Sequence, residues 1–259
     1  VSAIGFALSG MIDASRGFVH WSPLFPERNI ELGAMLSQTL GRPAFIENDA
    51  NVVAMAEQYM GETDGVSNFI VVTIEAGVGM GVVINNQIYR GTRGCGSEFG
   101  HMKVQLDGAL CRCGQRGCLE AYVADYALLR EATVNTNRSH DPSSELSLKQ
   151  VLAAARNGDP HAQSIVSRSS RVFAMGLSNL VNLFDPQKII LSGESMQLDH
   201  LYAENVLQAI KDTIVQVDAE PAEIVIHKWG GFMWAQGAAA FALGGVSNTI
   251  LREGNDRVA

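Results

Sequence analysis

The sequence predicts an α/β protein, and three observations carry that prediction. Short β-branched runs, such as NFIVVTI at Asn68–Ile74, read as buried strands. Between them lie stretches with apolar residues at helical spacing, and the two kinds of segment alternate along the chain. With 259 residues the chain can form one large domain or two lobes.

Taken in order, Ser2–Leu8 is a short apolar run ending in the turn Ser9-Gly10, and reads as a strand. The turn at Asp13–Arg16 precedes a second extended piece, Gly17–Trp21. Ile30–Leu40 has helical spacing and stops at Gly41, with Pro43 enforcing the break. A strand over Pro43–Glu47 delivers Asn48 and Asp49 to the start of a helix, DANVVAMAEQYM. An Asn or Asp before an apolar run is a helix N-cap signal, and Asn48 can be read as a cap and nothing more. Strand Asn68–Ile74 leads through Glu75-Ala76-Gly77-Val78-Gly79-Met80-Gly81 into strand Val82–Ile84, and Asn85-Asn86 turns the chain into Gln87–Tyr89. A glycine turn between strands suits a loop whose backbone closely approaches a ligand, although a plain glycine-rich hairpin looks the same. Leu119–Leu129 reads as one helix, and Asn135–Ser144 as a polar surface loop. Helices are expected over Ser147–Arg156, Pro160–Leu183, Leu201–Val215 and Phe232–Leu243, with strands at Lys188–Leu191 and Glu223–His227.

Bulk properties narrow the function. A formal charge of -8 argues against broad non-specific binding of nucleic acid or anionic membrane. No apolar run approaches the roughly 20 residues that span a bilayer, and the N-terminus lacks the regions of a signal peptide. Three of the four cysteines fall within eight positions, which suits a metal knuckle in a reducing compartment and a cytoplasmic setting. Cys95 stands apart as a packed loop residue.

Those cysteines belong to the most informative stretch, GCGSEFGHMKVQLDGALCRCGQRGCLE at Gly94–Glu120. His101, Cys111, Cys113 and Cys118 form a closed tetrahedral zinc set of the structural kind. Glu98 and Glu120 lie within three residues of a ligand, so a metal locking His101 and Cys118 also places both carboxylates.

In succession the chain shows strand-S-G-x-x-D, E-N-D-A-N, the glycine hairpin, G-x-x-G-x-E-x-G-H, and C-x-C-G-x-x-G-C-L-E. This order resembles the ROK family (repressor, open reading frame, kinase) over nearly the whole chain. The resemblance implies the two-lobed actin-like ATPase / sugar-kinase (ribonuclease H-like) fold, with residues 1–47 plus 233–259 in a small lobe incomplete at its N-terminus. Residues 48–232 would form the large lobe, with the zinc knuckle at 101–118. It further implies that Asn48, Asp49, Glu98, His101 and Glu120 contact a sugar, with Ser9 and Gly10 matching more loosely, and that His101, Cys111, Cys113 and Cys118 hold structural zinc. The chemistry agrees: carboxylates accept paired hydroxyl hydrogens, an amide both donates and accepts, and an imidazole can ligate through one nitrogen and donate from the other.

In kinases of that family the aspartate matching Asp49 is the general base, and the helix start favours its charged form. A sugar-binding carboxylate looks the same, so Asp49 does not separate kinase from sensor. The nucleotide side differs more. The first phosphate loop, Asp-x-Gly-Gly-Thr, is absent from these residues. The second, usually Gly-Thr-Gly-x-Gly around Gly77 and Gly79, begins here with Glu75-Ala76. The adenosine-side glycine pair is Ser192-Gly193-Glu194. Phosphoryl transfer needs amides, hydroxyls and Mg²⁺ around the γ-phosphate, so these departures favour a regulator.

The expectation is therefore the sugar-sensing and oligomerisation portion of a ROK-type transcriptional regulator, a homodimer or tetramer whose DNA contact lies in a segment outside this chain. The alternatives are an ATP- and Mg²⁺-dependent sugar kinase of the glucokinase or N-acetylhexosamine kinase type, and a zinc-stabilised sugar-binding protein with neither output.

Overall fold

In a computed structural model the described residues are 1–61, 63–134, 147–192, 204–215, 222–227 and 232–256. The chain divides into two compact units. One comprises Val1–Val71, Met80–Ser97 and Trp229–Ala259; the other comprises Val72–Gly79 and Glu98–Lys228.

In the first unit, β1 (Ile4–Leu8) pairs in parallel with β4 (Ala44–Asn48), and Leu8 lies opposite Asn48. That register places the Ser9-Gly10 turn beside the Asn48-Asp49 corner. The extended piece at Gly17–Trp21 is β3 (Phe18–Trp21), which pairs antiparallel with β2 (Met11–Asp13), a strand too short for its pattern to register in the sequence. Helix α1 (Leu32–Leu40) starts two residues later than its spacing predicts, because Ile30 exchanges backbone hydrogen bonds with Val19 at 2.8 and 2.9 Å. It ends where expected, at Gly41 in the left-handed conformation. Ile12, Val19 and Ile46 are fully buried and gather Phe6, Leu8, Phe25, Ile30, Leu32 and Leu36 around them.

Helix α2 (Asp49–Met60) follows β4 without a loop and packs against α8 (Met233–Asp256). A Cβ at Gly237 would lie 1.9 Å from Val52 O, so glycine is what lets the two helices approach this closely. Helix α8 runs thirteen residues past the Leu243 that ends its apolar pattern.

Strands β5 (Phe69–Ile74), β6 (Val78–Ile84), β7 (Gln87–Ile88), β8 (Lys188–Ser192) and β9 (Glu223–His227) form one sheet in the order β7-β6-β5-β8-β9. Strand β6 begins at Val78, inside the glycine stretch, four residues before the apolar run suggests.

In the second unit, the segment expected as one helix over Leu119–Leu129 is two. Helix α3 (Glu120–Val123) is separated from α4 (Asp125–Val134) by Ala124 in an extended conformation. Helix α5 (Leu148–Arg156) opens on a capping box of Ser147 and Gln150. Helix α6 (Pro160–Phe184) has Asp159 as N-cap and Pro160 in its first turn, and packs against α3, α4, α5 and α7 (Glu204–Lys211). The expected loop at Asn135–Ser144 and the start of the helix expected at Leu201 lie outside the described residues. Among the described residues no helix is long and apolar enough to cross a membrane.

Candidate sugar and metal site

The β4–α2 corner is built by its own sequence. Asn48 adopts the extended conformation of an N-cap, and its Oδ1 accepts from Ala50 N at 2.9 Å and Asn51 N at 3.3 Å. The amide is not spent on capping alone: Nδ2 donates to Gly10 O at 3.1 Å. Asp49 Oδ1 accepts from Ala50 N at 2.9 Å, and Oδ2 accepts from the Ser9 hydroxyl. Ser9, Gly10, Asn48 and Asp49 are thus one hydrogen-bonded group. Beneath it lies Glu47, with no exposed surface, whose carboxylate accepts from Asn48 N, Asn51 Nδ2 and Arg90 Nε. Sequence reading passed over Glu47, Asn51 and Arg90, although the first two stand inside E-N-D-A-N.

The second unit carries a set of side chains that could hold a metal ion. One ligand atom from each of His101, Cys111, Cys113 and Cys118 lies within 4.8 Å of every other. Cys113 and Cys118 sulfurs are 3.7 Å apart, and Cys111 Sγ is 3.8 Å from His101 Nδ1. A tetrahedron with Zn–S bonds of about 2.3 Å has edges of about 3.8 Å, so the donor set has the dimensions of such a site. The loop 102–119 that holds the three cysteines is closed by backbone bonds from Leu119 N to Met102 O and from Val104 N to Gly117 O. Burial pushes the Cys111 thiol above its ordinary range, which a bound cation would reverse. Lys103 Nζ donates to Cys118 Sγ at 2.9 Å and adds a positive charge beside the sulfurs.

Each flanking carboxylate lies near one of the four side chains. Glu98 opens the 3-10 turn Phe99–His101, and its Oε2 is 4.0 Å from His101 Nε2, the ring nitrogen that does not face Cys111. Glu120 begins α3 and is 8% exposed. Its Oε1 accepts from Tyr126 OH at 3.3 Å and lies 3.6 Å from Cys111 Sγ, while Oε2 accepts from Val78 N at 3.2 Å.

That last bond ties the glycine hairpin to Glu120. A Cβ on Gly77 would stand 3.0 Å from Glu120 Oε2, and one on Gly100 would stand 2.4 Å from Val78 O. These glycines allow a close approach within the protein itself. Glu75, at the head of the loop, accepts from Asp125 N at 3.5 Å. The Asp125 carboxyl is held above the ordinary aspartate range by burial first and by the Glu75 charge second. Gly79 continues into β6. Ser192 ends β8 and is buried, while Gly193 and Glu194 lie outside the described residues.

Such an α/β chain, with its Cys₃His set between two glutamates, defines a class: the actin-like ATPase and sugar-kinase fold, shared by solved ROK kinases and regulators. A model of the ROK family matches residues 1–244, and the chain belongs to that family. The glucokinase of Streptomyces coelicolor is 30% identical over 254 residues, 93% of this chain and 80% of that protein. The xylose repressor of Bacillus subtilis is 34% identical over 188 residues, 73% of this chain and 47% of the repressor. Among solved structures, a ROK family glucokinase from Streptomyces griseus in complex with glucose and AMPPNP has a TM-score of 0.79 at 31% identity, covering 94% of this chain and 82% of that one. A ROK family transcriptional regulator, a homolog of the E. coli MLC protein, has a TM-score of 0.78 at 27% identity, covering 92% and 61%. This chain thus spans about half the length of the xylose repressor and four fifths of the glucokinase.

Proposed function

We propose that this chain is the sugar-sensing and oligomerisation portion of a ROK-type transcriptional regulator. Its sugar-binding groups would be Asn48, Asp49, Ser9, Gly10, Glu98, His101 and Glu120. Structural zinc would be held by His101, Cys111, Cys113 and Cys118, leaving His101 Nε2 and the two flanking carboxylates to meet sugar hydroxyls. Sugar binding would act on an attached DNA-binding segment by preferring one arrangement of the protein over another. The setting would be the cytoplasm and the assembly a homodimer or tetramer.

The observation that carries the regulator reading is the acidity of the glycine loop. Glu75 stands at the loop's head, and its charge acts on the raised Asp125 carboxyl at the start of α4. The Glu75 carboxylate there opposes a triphosphate, whose transfer depends on positive and hydrogen-bond-donating surroundings.

The second reading is an ATP- and Mg²⁺-dependent sugar kinase, with Asp49 as general base. It is supported by the likeness to glucokinases across 93% of the chain. The two part in one assay. Protein expressed from the whole reading frame is mixed with ATP, Mg²⁺ and each of glucose, xylose, N-acetylglucosamine and N-acetylmannosamine. The regulator reading expects sugar binding without ADP release. Sugar-dependent ADP release that Asp49→Asn abolishes would overturn it.

A further inference from the structure

Glu47 is a fully buried carboxylate one residue before the Asn48-Asp49 corner. Its Oε1 accepts from Asn48 N at 2.9 Å and from Asn51 Nδ2 at 3.0 Å, tying the last residue of β4 to the first turn of α2. Its Oε2 accepts from Arg90 Nε at 2.7 Å. With three donors on four lone-pair directions and no exposed surface, Glu47 is not itself a ligand-binding group. A buried carboxylate needs a paired cation, and among the described residues Arg90 is the one that reaches it.

Arg90 is held from three sides. It stands two residues past the end of β7, and its guanidinium lies 5.8 Å from the Phe241 ring centroid on α8. Phe241 in turn meets Phe45 of β4 edge-on, with centroids 6.1 Å apart. The Arg90 carbonyl accepts from Gly96 N at 3.0 Å, which closes the loop 90–96. A Cβ on Gly96 would stand 3.0 Å from Arg90 O, so a larger residue there would disturb this closure. Two residues beyond Gly96 the chain reaches Glu98. The arginine side chain therefore supports the Asn48-Asp49 corner, while its main chain anchors the loop leading to Glu98.

We propose that the Arg90–Glu47 ion pair is a positioning device for the proposed sugar-binding groups, setting Asn48 and Asp49 through the β4–α2 corner. The inference rests on the sugar-binding reading of those residues. Neither member of the pair touches the sugar; both act through the corner they hold.

The test measures sugar affinity and thermal unfolding together, on the full chain with its metal bound. The probe is whichever of glucose, xylose, N-acetylglucosamine or N-acetylmannosamine the wild type binds most tightly by calorimetry. Arg90→Gln leaves a buried charge unpaired, so the paired variant Glu47→Gln/Arg90→Gln is measured beside it; it removes both charges and guards against simple misfolding. Removing the outer partner of a metal ligand costs about 10- to 100-fold in affinity or activity; by the same logic of lost positioning, both variants are expected to bind sugar at least about tenfold more weakly. The double variant should unfold at a higher temperature than Arg90→Gln, with zinc content unchanged in each. A double variant that folds and binds within about twofold of wild type would show the pair to be structural only, and would overturn the inference while leaving the sugar reading intact. A wild type that binds none of the four sugars would remove the sugar reading, and the inference with it.

Discussion

The backbone N–H of Val78 donates to Glu120 Oε2 at 3.2 Å, joining the glycine hairpin to the carboxylate that opens α3. Gly77 faces the same oxygen, and a methyl group there would come within 3.0 Å of it. Contacts that short force a shift of a few tenths of an ångström, and hydrogen-bond strength depends steeply on geometry. Gly77→Ala should therefore weaken sugar binding several-fold with the metal content unchanged. Equal affinities in a calorimetric titration would separate the hairpin from Glu120's role.

Glu120 can also be tested directly. Glu120→Gln keeps the shape and an acceptor for Val78 N or Tyr126 OH, but removes the charge. Hydrogen bonds to charged groups contribute about 1.5–3 kcal/mol, so sugar affinity should fall by roughly 10- to 100-fold. Zinc content should remain that of wild type, because Glu120 lies beside the ligand set without belonging to it. An unchanged dissociation constant would remove Glu120 from the sugar site.

For the metal, elemental analysis of protein purified without chelator should find about one zinc atom per chain. A ligand present at a thousandfold its dissociation constant stabilises a fold by about 4 kcal/mol. For a domain of this size that is about 10 °C of melting temperature. Dipicolinate should lower the melting temperature by that order, and Cys118→Ser should lose the response. Metal-free protein with an unaltered melting temperature on adding zinc would eliminate the structural ion.

Asn48 combines capping with a contact to Gly10 O, and two substitutions separate the roles. Asn48→Ala removes the cap, at a cost of about 1 kcal/mol or roughly 2–4 °C in melting temperature. Asn48→Asp keeps an acceptor for Ala50 N and Asn51 N but loses the amide donor. Both should weaken sugar binding, and only the first should substantially lower the melting temperature. Wild-type affinity in Asn48→Asp would reduce Asn48 to a helix cap.

Asp125 supplies a pH test. Its Oδ1 is buried and accepts no hydrogen bond among the described residues, and burial and then Glu75 raise its carboxyl above the ordinary range. The folded pKa exceeds the unfolded one, so the group's contribution to stability is fully present below about pH 3.9 and is lost as pH rises through the raised value. Asp125→Asn should therefore melt higher than wild type at pH 7, and the difference should shrink as pH falls toward 4. A constant difference across that range would contradict the assignment.

Legibility followed the distance over which each feature is encoded. The cap at Asn48, the stop at Gly41 and the capping box at Ser147 each involve residues within a few positions of one another, so the sequence alone revealed the elements they bound. The alternation of strands and helices is likewise local, and the Cys₃His set was legible because few other chemistries want those ligand types at that spacing. The break between α3 and α4 escaped because Ala124 carries no turn chemistry. Early entry into β6 escaped because Val78 and Met80 alternate with glycines that hide a strand period.

Read alone, the chain disclosed its fold class, the family order of motifs and the four side chains that could hold a metal. Only the tertiary structure decided which residues work together: Glu47 with Arg90 across 43 positions, Glu120 with Val78 across 42, and Ser9 with Asp49 across 40. The physical reason is that a cap or turn is satisfied by its immediate neighbours. A buried carboxylate takes whichever donors chain closure brings to it, and no local pattern records which those are.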